Sequence, residues 1–261
     1  YPILRHVAWL DRWASGWRWR PAAAVITVTP LLREHVLQTA PAAYVEVVPT
    51  GANTALFHAP VDQPNPINAP YVIFFGSLAP WHDLKTMLAA TELPLWPAGM
   101  RLVILGSGRQ AWLAEEAARH NAHVVYKPAV PYQEVPLWVG HATAALSLLQ
   151  TSNGLSPSPL KLYEAMACSV PVIVSEAPVQ AELIRAAGCG LVIPEGDPAA
   201  LASAVATLRG DAHASVLMGE RGRQTVVLSH SWDARAEHTH RILLRAISVS
   251  MSKRGGRSCS G

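Results

Sequence analysis

The chain has 261 residues, half of them apolar and 15% charged, with a formal net charge of +3. That is apolar sequence enough for a sizeable core, and a basicity too mild and dispersed for a nucleic-acid protein. Cys168, Cys189 and Cys259 are odd in number and lack metal-ligand spacing, which argues against a disulfide framework and for a reducing, cytoplasmic compartment; no apolar run reaches about 18 residues, so neither a membrane span nor a signal peptide is read.

Residues 3 to 20 place Trp9, Trp13 and Trp17 four apart on one helical face, among Arg5, Arg12, Arg18 and Arg20. Such a face fits packing of a Trp stripe on the rest of a domain, with peripheral docking at the inner surface of a membrane as the alternative. The chain starts with Tyr1 inside this helical stretch and so reads as a piece of a longer protein. A short buried strand over Ala23 to Val28 follows, then a helix opened by Pro30 through Gln38, then a strand over Tyr44 to Val48. Pro60, Pro64, Pro66 and Pro70 mark residues 58 to 70 as a linker.

Beyond the linker, strands and helices alternate. Strands are predicted over Tyr71 to Phe75, Leu102 to Leu105, His123 to Tyr126, Ala144 to Leu148, Val172 to Ser175 and Gly190 to Ile193. Between and after them, helices are predicted over Leu84 to Ala90, Ala111 to His120, around Glu134 to Trp138, from Ser158 onward, over Val179 to Ala187 and over Pro198 to Leu208. The strands are continuous apolar runs without polar alternation, the pattern of a parallel sheet covered on both faces. The fold class is therefore α/β, a doubly wound Rossmann-like sheet, whose ligands bind at the carboxyl ends of the strands. Residues 212 to 228 and 231 to 247 read as helical, and the Ser/Gly/Arg-rich end as a disordered tail.

The most informative stretch is Ser156-Pro157-Ser158-Pro159-Leu160-Lys161-Leu162-Tyr163-Glu164. Ser158 is a good N-cap and Pro159 suits the first helical position, so a helix starts here directly after a strand and loop. Lys161 in its first turn is a cation where the helix dipole is already positive, an arrangement that favours a bound anion. The free backbone N–H groups of Leu160 and Lys161 point the same way, so the site suits a phosphate or diphosphate. Glu164 lies three residues on, on the same face and roughly 4.5 Å deeper, within reach of a ribose or sugar diol. As residues alone, the same pattern is also that of a capped amphipathic helix with solvated charges.

Taken together, the motifs resemble the C-terminal half of the GT-B glycosyltransferases of family 4, the group 1 glycosyl transferases. The resemblance runs through Val47-Val48-Pro49-Thr50-Gly51-Ala52-Asn53 with Phe57, Phe75-Gly76-Ser77-Leu78, Leu105-Gly106-Ser107-Gly108, Pro159 to Ala167 with Pro171-Val172-Ile173, and Gly190 to Ile193 with Gly196-Asp197-Pro198. It covers about residues 20 to 245. It implies transfer of a sugar from a nucleotide diphosphate sugar, with retained anomeric configuration and no obligatory metal or other cofactor, to a glycan, lipid or small-molecule acceptor. It implies a catalytic pair of Lys161 on the diphosphate and Glu164 on the ribose. The donor site would also include Gly76, Ser77, His82, Gly106, Val130, Ser158 and Leu160, with the nucleobase against the loop Lys127 to Tyr132. The implied domains are a remnant of an acceptor domain at 1–57, a linker at 58–70, the donor-binding domain at 71–230, a terminal crossing helix at 231–248 and a tail at 249–261.

The chain also departs from the family. Ser156 stands where a second Glu is common, Ser77 where an Arg is usual and His82 where a Lys is usual. Two of three expected diphosphate cations are thus replaced, and a charge-assisted hydrogen bond is worth roughly 1.5–3 kcal/mol. A protonated His82 would substitute in part, with binding tightening below about pH 6.5; otherwise it is an exposed loop histidine beside Trp81. With most of the acceptor domain outside the sequence, the expectation is a donor-binding half with little turnover of its own. The alternatives are a non-catalytic nucleotide-sugar-binding module, a sugar-nucleotide epimerase, for which no acid–base pair is visible, and a nicotinamide-dependent oxidoreductase. Ala111 breaks the glycine fingerprint the last would need.

Overall fold

A computed structural model of the protein describes residues 22–59, 63–150 and 160–255. The Trp9, Trp13 and Trp17 face, Ser156, Ser158 and the last six residues lie outside them. The chain forms two compact units, one of Gly51–Trp232 and one holding the chain up to Thr50 and from Asp233 onward.

In the smaller unit, strands β1 (Val25–Thr27) and β2 (Val45–Val47) pair in parallel, joined by helix α1 (Pro30–Thr39). The Thr29 side chain accepts from Leu32 N at 3.3 Å with Pro30 at the first helical position, a local start signal that the sequence carries in full. Val25, Val36 and Val45 form its buried cluster.

The larger unit is a parallel sheet of six strands: β3 (Tyr71–Ser77), β4 (Arg101–Ser107), β5 (Val124–Lys127), β6 (Ala144–Ser147), β7 (Val172–Ser175) and β8 (Gly190–Ile193). Their order across the sheet is β5-β4-β3-β6-β7-β8, and all pairs are parallel. The helices between them are α2 (Leu84–Ala90), α3 (Ala111–His120), α4 (Val135–Gly140), α5 (Leu160–Ala167) and α6 (Pro178–Ala187), followed by α7 (Pro198–Gly210) and α8 (Ala212–Thr225).

The doubly wound α/β arrangement read from the apolar runs is present, and its cause is visible in the packing. Tyr71, Ile73 and Phe75 of β3 enter one buried cluster with Leu162 and Met166 of α5, while Val72 and Phe74 enter the opposite cluster with Met87 of α2 and Val205 of α7. Alternate residues point to opposite faces, and both faces are covered over Tyr71–Phe75, so each of these positions carries a large apolar or aromatic side chain. Asp83, Asp197 and Asp211 cap α2, α7 and α8 by accepting from the N–H three residues on.

Four boundaries differ from the sequence reading. β3 and β4 run two residues further than predicted, so Gly76-Ser77 and Gly106-Ser107 are strand residues paired with each other. Residues 51–57 belong with the larger unit rather than with a separate domain, because Phe57 is wholly buried in its core and its carbonyl accepts from Arg223 Nη1 at 3.2 Å. After Thr225 the chain takes one π-helical stretch, Val226–His230, before helix α9 (Trp232–Gly255). That last helix continues beyond residue 248, where the composition had suggested a disordered tail.

Candidate functional site

The direction of winding reverses between β3 and β6, which are neighbours in the sheet although far apart in sequence. At such a switch point the loops leaving the two strand ends separate and a crevice opens. Here the loops are tied together beside it. Asp83 N donates to Leu148 O at 3.0 Å, Gln150 N donates to Trp81 O at 2.9 Å, and His82 and Leu149 form an antiparallel bridge. Gln150 Nε2 also donates to Asp83 Oδ1 at 3.2 Å, so the residue that caps α2 anchors both loops. Beneath them the buried Gln180 side chain bonds Ser147 and Ser175, and Leu149 N donates to Ser175 Oγ at 2.8 Å. The crevice edge is therefore rigid before any ligand arrives.

On the other side of the crevice, the ends of β3 and β4 approach unusually closely. A Cβ on Gly106 would lie 1.9 Å from the Gly76 carbonyl oxygen, and Gly76 itself has φ +103. A Cβ on Gly76 would stand 3.8 Å from Lys161 Nζ, so this glycine leaves the ammonium open to the strand end. A cavity of about 380 Å³ opens here, lined by Phe75, Gly76, Ser77, Leu105, Gly106 and Ser107 from the strands, Ala129, Val130 and Tyr132 from the loop after β5, Val135 at the start of α4, and Glu164.

Helix α5 supplies the charged groups. It is anchored by Leu162, Tyr163, Ala165 and Met166 in the core, and its last carbonyl, on Ala167, accepts from Arg223, a cation at the negative end of the dipole. Of the residues proposed from sequence, Gly76, Ser77, Gly106, Val130 and Glu164 line the cavity. Leu160 is exposed at the start of α5, and Ser158 is outside the described residues. Lys161 lies behind the strand end: its Nζ sits 3.9 Å from the centroid of the Phe74 ring and 3.1 Å from His82 Nε2. Burial lowers its pKa to about 7, and the Glu164 carboxylate opposes the shift.

His82 is not the exposed loop residue that its neighbour Trp81 suggested. It is 8% exposed, packed edge-on to Phe74 at 5.1 Å. Burial first, then the Lys161 ammonium, lowers its pKa to about 3, while a backbone interaction with Leu148 raises it. The protonated His82 considered as a replacement cation is thus contradicted: a ring whose neighbours are apolar on one side and an ammonium on the other stays neutral at neutral pH.

The sequence reading missed Tyr132 as a partner of the acid. Its Oη donates to Glu164 Oε1 at 2.8 Å, and its ring tilts against Phe57 at 5.3 Å. Glu164 is itself buried, which raises its pKa; the Tyr132 hydrogen bond and then Lys161 lower it, and the net direction is up. One carboxylate oxygen is therefore held by Tyr132, and the acid faces a cavity with a nearby ammonium. Such an arrangement suits a ligand that carries anionic oxygens at one end and hydroxyl donors at the other. No group of three or more His, Cys, Asp or Glu side chains converges on a metal-binding geometry among the described residues, and none of the described helices is long and apolar enough to cross a membrane.

The chain is similar to known proteins in sequence and in fold. The chain is similar to the GDP-mannose-dependent alpha-(1-6)-phosphatidylinositol monomannoside mannosyltransferase of Mycolicibacterium smegmatis, with 26% identity over 219 residues, 78% of this chain and 57% of that protein. In fold it is similar to sucrose-phosphate synthase from Thermosynechococcus elongatus (TM-score 0.69, 22% identity, 87% of this chain and 59% of that one). It is likewise similar to Anabaena HepE in complex with UDP (TM-score 0.71, 17% identity, 86% of this chain and 64% of that one). The chain thus spans less than two thirds of the length of each of these relatives. The pattern of the glycosyl transferases group 1 matches residues 69–211, which contain the paired glycines of β3 and β4, the cavity loop and the Lys161–Glu164 helix. With more than half of its length matched to that one family, the chain belongs to the glycosyl transferases group 1.

Proposed function

We propose that this chain binds the nucleotide diphosphate sugar donor of a retaining glycosyltransferase, with the diphosphate at Lys161 and the ribose at Glu164. The observation that carries the reading is the pairing of a half-buried lysine, its ammonium over the Phe74 ring, with a buried carboxylate one helical turn on, beside a cavity at the switch point of the sheet. The diphosphate would lie along the ends of β3 and β4, where Ser77 and Ser107 offer hydroxyl donors and Leu160 offers the start of α5. The base would enter the cavity beside Val130. Developing charge on the leaving diphosphate would be met by Lys161 and these donors, already in place, rather than by a resident metal. A glycan, lipid or small molecule would act as acceptor, and the Trp9, Trp13 and Trp17 face is proposed as a peripheral membrane contact. The relative from Mycolicibacterium smegmatis is named for GDP-mannose and the Anabaena structure holds UDP, which supports a nucleotide sugar as the ligand class. A non-catalytic nucleotide-sugar-binding module is the second reading, favoured by the loss of cationic side chains at Ser77 and His82.

The test is calorimetric titration of UDP, GDP and ADP into the chain and into Glu164→Ala. Binding of one nucleotide, lost in the variant, is the expected result; equal binding to both proteins would remove Glu164 from the site.

The same reading implies a pH dependence. Lys161 has a pKa of about 7 without ligand, and a bound diphosphate must raise it. Affinity for a nucleotide sugar should therefore be constant below pH 7 and fall as pH rises past it, approaching about tenfold per unit. Titration at pH 6, 7, 8 and 9 checks this, and a flat profile would separate Lys161 from the diphosphate. Tyr132→Phe acts on the other end. It removes the donor that lowers the Glu164 pKa, so binding should weaken about 5- to 10-fold at neutral pH and further in mild acid, the loss of about 1–1.5 kcal/mol expected for one such bond. An unchanged affinity at both pH values would show that Glu164 does not need Tyr132.

A further inference from the structure

We propose that His82 is a neutral positioning residue for Lys161: its Nε2 accepts a hydrogen bond from Lys161 Nζ and holds the ammonium over Phe74, aimed past Gly76 at the donor's diphosphate. The inference rests on the donor-binding reading above. It assigns position 82 an acceptor role where the sequence suggested a cation.

Three features support it. The Nζ–Nε2 distance is 3.1 Å, and the ammonium form of Lys161 has only donors, so in that form Nε2 carries the lone pair and the ring proton sits on Nδ1. The backbone that carries the ring is held by His82 N donating to Ala79 O at 3.0 Å, Leu84 N donating to His82 O at 2.8 Å and the bridge to Leu149, and the ring itself packs on Phe74 at 5.1 Å and beside Trp81 at 6.1 Å. Nδ1 is buried, interacts with the Leu148 backbone and falls outside hydrogen-bond geometry, so the ring bears the cost of one poorly satisfied polar atom. A histidine held at that cost, with its one satisfied nitrogen on a functional lysine, is placed for the lysine.

The Phe74 face and His82 Nε2 then occupy two sides of the ammonium, and the side toward Gly76 lacks a Cβ. An ammonium fixed in this way loses little rotamer freedom when the anion arrives. The titratable groups around it are His82 and Asp83 on the loop after β3, Glu164 on its own helix, and Tyr132 acting through Glu164. Of these, Glu164 raises the Lys161 pKa, opposing burial.

The test has two arms. In the first, without ligand, the imidazole of His82 and the side chain of Lys161 are followed by NMR from pH 4.5 to pH 9. The expected result is a His82 ring that stays neutral with its proton on Nδ1, and a Lys161 midpoint that drops by about half a unit or more in His82→Leu, where the acceptor of the ammonium is gone. In the second arm UDP-glucose, GDP-mannose and ADP-glucose, whose diphosphates do not titrate in this range, are bound to wild type and variants. His82→Leu should weaken binding about tenfold, His82→Gln, which keeps an acceptor at similar reach, should stay within about threefold of wild type, and His82→Lys should weaken it like His82→Leu, through repulsion with Lys161. A His82 that titrates near its usual value, a Lys161 midpoint indifferent to His82→Leu, or tighter binding by His82→Lys would overturn the proposal. Failure of wild type to bind any of the three sugars would instead sink the donor reading, while the NMR arm still decides whether His82 holds Lys161.

Discussion

Lys161→Met is expected to weaken binding of a nucleotide sugar by about 10- to 100-fold while stabilising the unliganded fold by about 1–3 kcal/mol. The first effect is the loss of a charge-assisted contact worth roughly 1.5–3 kcal/mol. The second follows from the position of the ammonium, buried against Phe74 and His82. Its pKa falls from 10.5 to about 7 because burial disfavours the charged form. Between those values the unfolded chain holds the proton and the folded chain does not, so stability rises with pH across that window. The destabilisation by Lys161 is therefore complete below about pH 7 and vanishes near 10.5, and the gain from methionine should shrink along the same course. Urea denaturation at pH 6.5 and pH 9, with calorimetric binding at the lower pH, checks both halves. A variant that loses binding and stability together would show that Lys161 is a structural residue.

Gly106→Ala should cost about 3–5 kcal/mol of stability and remove nucleotide binding with it. The new Cβ would stand 1.9 Å from the Gly76 carbonyl oxygen. Contact with backbone cannot be relieved by turning a side chain, so β3 and β4 must separate where Gly76 pairs with Gly106 and Ser77 with Ser107. The φ of +151 adds backbone strain for any residue with a Cβ. Costs of this size belong to the short set of mechanisms that exceed ordinary substitutions. Gly210→Ala, at the end of α7 with no atom within 4 Å of its Cβ, is the control and should change stability by less than about 1 kcal/mol. A denaturation midpoint for Gly106→Ala equal to that of the control would mean that the two strand ends part easily.

Both predictions depend on contacts that join distant parts of the chain, and this explains how far the sequence could be read. The fold was legible because strand segments such as Tyr71–Phe75 are buried on both faces and so carry unbroken apolar runs. Helix starts were legible at Asp83, Asp197 and Thr29-Pro30, where a cap or first-position residue decides. The Lys161–Glu164 pair was legible because both lie on one helix, three residues apart. His82 was not: its burial depends on a bridge to Leu149 and on the face of Phe74, neither of which leaves a local pattern. Tyr132 was hidden for the same reason, since its hydrogen bond spans 32 residues to Glu164. The place of residues 51–57 in the larger unit turns on Arg223, which reaches the Phe57 carbonyl from a helix 166 residues away.

The most direct test of the account is a crystal structure of this chain with whichever of UDP, GDP or ADP it binds. The diphosphate is expected within hydrogen-bond distance of Lys161 Nζ at the ends of β3 and β4, the ribose hydroxyls on Glu164, and Tyr132 still bound to the other side of that carboxylate. A nucleotide seated elsewhere, for instance in the shallow depression bordered by Trp96, His120 and His123, or one in the cavity with its phosphates away from Lys161, would contradict it.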